Sequence, residues 1–114
     1  MQEQNAAVAA LAALGQHTRL TVFQILVAEG TEGMAAGRIA ERLNVRQNTL
    51  SAHLSVLERA GMITHKRLGR SLVYRPSFFG MRALLKFLLV DCCGSHPAVR
   101  KPLLSQLGGT QLSD

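Results

Sequence analysis

Two apolar helical patterns joined by a short polar turn, with a basic hairpin pattern directly after them, constrain this chain more than any other feature. The apolar positions repeat at helical spacing, at Ile39, Leu43, Leu50, Leu54 and Leu57. Two short runs with strand character then surround Gly69 and Arg70. The pattern predicts a helix-turn-helix over about residues 35–60 and a β-hairpin, the wing, over about 62–75. In this arrangement one helix can hold the other in a DNA major groove, while the neighbouring hairpin contacts the DNA backbone.

The rest of the chain predicts further helices and a single domain over residues 1–114. These helices are expected over residues 5–14, 17–29, 78–91 and, as a short addition, 98–107. Gly94 and Pro97 are expected to end the helix that starts at residue 78, and the tail from about 105 to 114 to be disordered. In the second helix the core candidates are Leu20, Phe23, Ile25, Leu26 and Val27. The expected fold class is therefore mainly α with a small β-hairpin, a winged helix-turn-helix.

The positive charge is concentrated on the recognition helix and the wing. The formal net charge is +6, and segment 46–75 alone carries six basic residues against one acidic residue. Clustered basic residues are typical of phosphate binding, although a solvated surface is the simpler alternative. The candidate DNA contacts are the polar start of the recognition helix and the basic side chains of the wing: Arg46, Gln47, Asn48, Thr49, Ser51, Lys66, Arg67 and Arg70.

Other functional classes find no support in the sequence. The longest apolar run, near Leu84–Val90, is interrupted by Lys86 and is too short to cross a bilayer. The first residues lack the basic start of a signal peptide, so a cytoplasmic protein with reduced thiols is expected. No phosphate loop, zinc-protease motif or nucleophile–base pair is present, and no enzymatic activity is expected.

The pattern from residue 50 to residue 74 resembles that of the ArsR/SmtB family of bacterial winged-helix repressors. The matching residues are Leu50-Ser51-x-His53-Leu54-x-x-Leu57-x-x-Ala60-Gly61-Met62-Ile63 and Arg67-x-Gly69-Arg70-x-x-x-Tyr74. The resemblance extends over about residues 6–93. It implies a homodimer, joined through the first and last helices, that binds a double-stranded DNA operator. It also implies that His53 packs near the recognition helix. Arg19 and Arg38 are candidates for additional contacts with the DNA backbone, but a solvated surface position is favoured for each.

Cys92 and Cys93 are the only cysteines, and they lie where the helix over 78–91 is expected to end. Thiolates select soft ions, whereas the simpler interpretation is two small apolar side chains packed in a dimer. The Cys-Cys-Gly-x-x-Pro pattern resembles arsenite-responsive repressors of the family, in which a third cysteine follows. Here that stretch reads Ala98-Val99-Arg100-Lys101, so the resemblance implies As(III), an organoarsenical(III) or Sb(III) as inducer, with two thiolate ligands from the chain.

Two alternatives stay open at this point. The same thiols can serve a redox-responsive or sulfide-responsive repressor, or the protein can be a DNA-binding module without a ligand. No cofactor is expected to be required. The cysteine sites of the third helix and the zinc ligands of the last helix, which other members of the family use, are absent; Asp91 alone does not make a zinc site.

Overall fold

The computed structural model describes residues 2–92, Gly94 and residues 96–108. In chain order the elements are α1 (Gln2–Leu14), α2 (His17–Glu29), a 3₁₀ turn (Gly30–Glu32), β1 (Met34–Ala35), α3 (Ala36–Leu43), α4 (Gln47–Arg59), β2 (Ile63–Leu68), β3 (Ser71–Pro76), α5 (Phe78–Lys86), a π-helical segment (Phe87–Cys92) and α6 (Pro97–Gly108). The fold is mainly helical with a small antiparallel sheet, a winged helix-turn-helix, as expected from the sequence.

The wing belongs to a three-stranded sheet of order β1-β3-β2, and β1 was not expected from the sequence. Only two residues long, β1 pairs Met34 with Tyr74 and Ala35 with Val73. Gly33 makes this pairing possible: its φ is +72°, and a Cβ there would overlap the backbone oxygen of Tyr74. A strand of two residues carries no periodic signal, which is why pattern analysis missed it.

The core is formed where α1, α2 and α4 meet the base of the sheet. Its fully buried side chains include Leu26, Ile39, Leu50, Leu54, Leu57, Met62, Ile63 and Val22. One expected core residue of the second helix was wrong, and one core residue was missed. Leu20 is 44% exposed, whereas Val22 is fully buried in its place. A helix with apolar residues on most sides does not reveal from its own pattern which face will be covered.

The turn of the helix-turn-helix is formed by residues between α3 and α4. Asn44 ends α3 in the left-handed conformation, with φ 55° and ψ 49°, and its N–H donates to the carbonyls of Ala40 and Glu41. Arg46 is the N-cap of α4 and makes no capping hydrogen bond with its side chain. Asn44, the better capping residue, therefore ends one helix instead of starting the next.

The C-terminal region differs from the single regular helix expected over 78–91. Ser77 caps α5 by accepting a hydrogen bond from the Gly80 N–H at 3.0 Å. The backbone then passes into the π-helical segment. Nζ of Lys86, the last residue of α5, lies 3.9 Å from Oδ2 of Asp91 in that segment. Pro97 does not end a helix but opens α6, a position at which its missing N–H is harmless.

Most of the expected tail lies beyond the described residues. Residues 105–108 belong to α6, which corrects the expectation of disorder from residue 105, and residues 109–114 lie outside the described range. Among the helices that the structure describes, none has the length and apolar character needed to span a bilayer.

Candidate nucleic-acid interface and thiol segment

Helix α4 buries one face and leaves its polar face uncovered. Leu50, Leu54 and Leu57 are at most 1% exposed, and they anchor the helix in the core. The residues proposed from the sequence at its start are all exposed: Arg46, Gln47, Asn48, Thr49 and Ser51. The structure thus brings these five residues together on the outside of the helix, with hydrogen-bonding groups available to a base edge or a phosphate.

The wing extends from the core as a two-stranded ribbon. Of the six residues of β2, only Ile63 is buried. Gly69 has φ +63° and the following Arg70 has negative φ, the pattern of a two-residue type II′ turn. Lys66, Arg67 and Arg70 are exposed, and within the described residues the ion pairs are Glu58–His65 and Lys86–Asp91 only. The basic side chains of the wing are therefore not neutralised by a carboxylate of the described chain.

A polar cavity of about 600 Å³ lies between the helix-turn-helix and the wing, and it extends to the residue that follows the turn of the wing. Its lining includes Arg38, Asn44 and Gln47 from the two helices and their turn, and Ser71 from β3. Arg38 is exposed, as expected from the sequence. It lines the same cavity as Gln47 at the start of α4.

Arg19 is not the solvated side chain that was expected. Its Nε donates to the Ala13 carbonyl oxygen at 2.7 Å, and its Nη1 lies 3.2 Å from Nδ1 of His53. One guanidinium thereby joins the end of α1, the start of α2 and the middle of α4. His53 has the packing role expected for it, as the acceptor that holds Arg19 against the recognition helix.

The thiol segment is described only in part. Cys92 is exposed and is the last residue of the π-helical segment, whereas Cys93 lies outside the described residues. His96 is engaged elsewhere, because its Nδ1 accepts a hydrogen bond from the Ala98 N–H at 3.0 Å and so caps α6. Among the residues that the structure describes, no three His, Cys, Asp or Glu side chains are grouped to hold a metal ion.

Large apolar side chains are exposed on α1, on α5 and on the π-helical segment. Val8 and Leu11 of α1 are 58% and 46% exposed, while Ala7, Ala10 and Ala13 on the opposite face are buried. Phe79, Leu85 and Val90 are exposed as well. Between α1 and α5 lies a mainly apolar cavity of about 360 Å³. The described monomer thus leaves an apolar face uncovered around α1 and α5.

Known proteins share the helix-turn-helix and the overall fold of this chain. A helix-turn-helix domain model matches residues 14–66, and no curated protein matches the chain. An ArsR-like transcriptional regulator from Rhodococcus sp. RHA1 is similar over 97% of this chain and 100% of its own, with 22% identity and a TM-score of 0.72.

Two further solved structures have higher sequence identity over a shorter part of the chain. A homodimeric winged helix-turn-helix DNA-binding domain from Mycobacterium bovis, a possible ArsR-family regulator, is 26% identical over 81% of each chain, with a TM-score of 0.62. A possible transcriptional regulator for arsenical resistance is 28% identical over 69% of this chain and 79% of its own, with a TM-score of 0.61. Fold and matches are those of DNA-binding transcriptional regulators, not of enzymes.

Proposed function

Since the chain has a helix-turn-helix domain and the fold of ArsR-family transcriptional regulators, we propose that it is a homodimeric repressor that binds a double-stranded DNA operator. Trivalent arsenicals or antimonite, bound by Cys92 and Cys93, release it from the operator. No cofactor is needed, and the protein works in the cytoplasm, where thiols stay reduced.

The observation that carries the DNA-binding proposal is the uncovered polar face of α4 beside the unneutralised wing. Side chains at the start of α4 can contact base edges, while Lys66, Arg67 and Arg70 suit phosphates. A pseudo-palindromic operator then requires two copies of α4, one in each half-site.

The dimer proposal is supported by the apolar face and by one relative. Val8, Leu11 and Leu85 are exposed around α1 and α5, and pairing of two chains would cover them. The similar domain from Mycobacterium bovis is homodimeric.

The inducer proposal is supported by the chemistry of two adjacent thiols and by the relative described as a regulator for arsenical resistance. Cys92 is accessible, and π-helical segments such as the one it ends are frequent at functional sites. Inducer binding releases DNA only if it favours a dimer geometry that fits the operator less well. With His96 engaged as a cap, the two sulfurs are the ligands the chain supplies.

DNA binding is tested by measuring affinity against salt concentration with fluorescence anisotropy, on a duplex selected from a random pool by the protein. We expect a steep dependence, because neutralised phosphates release counterions. Arg70→Ala should weaken binding to specific and random duplexes alike and lower the salt slope by about one. Arg100→Ala, an exposed arginine on α6, is the matched control. Affinity that is independent of salt would contradict the proposal.

The inducer is tested on the same complex with phenylarsine oxide, arsenite, antimonite, zinc and hydrogen peroxide added separately. Phenylarsine oxide should release DNA at lower concentration than arsenite, because it needs two sulfurs whereas arsenite must recruit a third, such as glutathione. The double variant Cys92→Ser/Cys93→Ser should bind DNA normally and resist release. Release by peroxide alone would favour the redox-responsive repressor instead, and no release by any compound would favour a module without a ligand.

A further inference from the structure

One side-chain contact ties the recognition helix to the wing beyond the buried core. Nδ1 of His65, on β2, lies 2.6 Å from Oε2 of Glu58, in the last turn of α4. The imidazole also lies against the ring of Tyr74, with ring centroids 5.3 Å apart and a tilt of 39°. His65 and Tyr74 are cross-strand partners in the sheet. A helix residue and both strands of the wing therefore meet at one point.

On β2, this is the outermost side-chain hydrogen bond to a helix among the described residues. Strand β3 is also held one position farther out, where Val73 pairs with Ala35 of β1. Ile63, two residues before His65, is buried, whereas every later residue of β2 is exposed. Gly69 lies four residues beyond His65, or roughly 13 Å along the strand at ~3.3 Å per residue. A tilt of about 10° at His65 would move the turn by about 2 Å over that length. Hydrogen bonds from arginine to phosphate, at ~2.7–2.9 Å, do not survive such a displacement.

We propose that Glu58 and His65 are positioning residues for DNA binding, which fix the angle between the recognition helix and the wing so that both reach the same duplex. The inference rests on the proposed DNA-binding function and adds two residues that do not themselves contact DNA. In this contact Nδ1–H of the imidazole donates, because a carboxylate oxygen can only accept. The ring of Tyr74 packs against the imidazole from the neighbouring strand.

Tyr74 offers a spectroscopic readout of this contact. Burial raises the pKa of its phenol above 10.0, and the negative charge of Glu58 raises it further. The chain has one tyrosine and no tryptophan, so absorbance near 295 nm reports on Tyr74 alone. Glu58→Gln should lower the pKa of Tyr74, because the repulsion between the carboxylate and the phenolate is removed.

The main test is DNA affinity, measured by anisotropy at low salt for wild type, His65→Ala, His65→Asn and Glu58→Gln. His65→Ala should weaken binding about two- to fivefold, the range set by an exposed ion pair. His65→Asn, which retains a donor near the position of Nδ1, should restore most of the affinity. Thr64→Ala, an exposed neighbour whose side chain points to the other face of β2, is the matched control and should leave affinity unchanged.

A positioning role is separated from a merely structural one by repeating His65→Ala in an Arg67→Ala/Arg70→Ala background. If Glu58 and His65 act by orienting the wing, His65→Ala should reduce DNA affinity little in this background, because the wing no longer contacts phosphates. An equal loss in both backgrounds overturns the inference, as does full affinity of His65→Ala in the otherwise native chain. An unchanged Tyr74 titration in Glu58→Gln also contradicts it. If Arg70→Ala weakens binding while the pair variants do not, the proposed function stands and this inference fails; if wild type binds no duplex, both fail.

Discussion

At the scale of single residues, Arg19 is a charged side chain that joins helices of its own chain instead of extending into solvent. Its guanidinium donates to the Ala13 carbonyl and contacts His53, and so it satisfies a backbone oxygen left free at the end of α1. An arginine fork can reach two acceptors at once, which a lysine ammonium on the same stem does not do in this geometry.

Arg19→Lys should therefore lower the free energy of unfolding by about 1–2 kcal/mol, because the carbonyl or the imidazole loses its donor. His53→Ala should cost a similar amount, and the double variant should cost less than the two added together, since they share one contact. Urea denaturation measures all three, with the exposed Arg42→Lys as control. Strictly additive losses would show that Arg19 and His53 act independently.

Tyr74 makes stability sensitive to alkaline pH. Its pKa in the folded state is raised, first by burial and then by Glu58, so the folded protein holds the phenolic proton more tightly than the unfolded chain does. This contribution is complete below pH 10 and is lost as pH rises through the folded-state value. Above pH 10, the melting temperature of the wild type should fall more steeply with pH than the melting temperature of Tyr74→Phe. Parallel curves for the two proteins would contradict this.

At the scale of elements, the join between α4 and α5 depends on the absence of a side chain. Gly80, in the first turn of α5, faces the Gly61 carbonyl oxygen at the end of the recognition helix, and a Cβ at residue 80 would overlap that oxygen. Since the contact is with backbone, no flexible side chain can move aside. Gly80 thus lets α5 lie directly on the turn that follows α4.

Gly80→Ala should destabilise the fold by about 1–3 kcal/mol, the usual cost of overpacking, in spite of the better helix propensity of alanine. Gly37→Ala is the matched control, because a Cβ there meets only Nε2 of Gln47 at an ordinary 3.6 Å. The control should be neutral or more stable by up to about 1 kcal/mol. Thermal denaturation followed by circular dichroism compares them; equal melting temperatures for the two variants would refute the close contact.

At the scale of the whole molecule, an apolar face around α1 and α5 is uncovered in the described chain. Leu88, in the π-helical segment, packs partly against the core of its own chain. A charge at Leu88 would therefore damage the monomer as well as a dimer. Leu11, 46% exposed on α1, separates the two effects.

Leu11→Glu should convert the dimer to a folded monomer and weaken operator binding at least tenfold, since one recognition helix then binds without the other. Sedimentation velocity at micromolar concentration measures the state of association, and circular dichroism checks the fold. Leu107→Glu, on the exposed side of α6, is the control and should remain dimeric. A wild-type protein that sediments as a monomer would contradict the proposed assembly.

The sequence by itself determined the elements with strong local signals. The repeat of Leu50, Leu54 and Leu57 fixes both the recognition helix and its buried face, because one helical period accounts for all three. The same periodicity leaves the opposite face for polar residues, so the candidate DNA contacts could be named in advance. The wing followed from the turn chemistry at Gly69.

Only the tertiary structure decided the features that depend on residues far apart in the chain. Strand β1 exists because Gly33 lets Met34 and Ala35 reach β3. The Arg19–His53 contact joins residues 34 positions apart, and Val22 rather than Leu20 is the buried residue of α2. Local periodicity carries no information about such neighbours, since it reports the preference of a segment and not the surface that the segment meets. The Glu58–His65 contact between helix and wing belongs to the same class, although only seven residues separate the two.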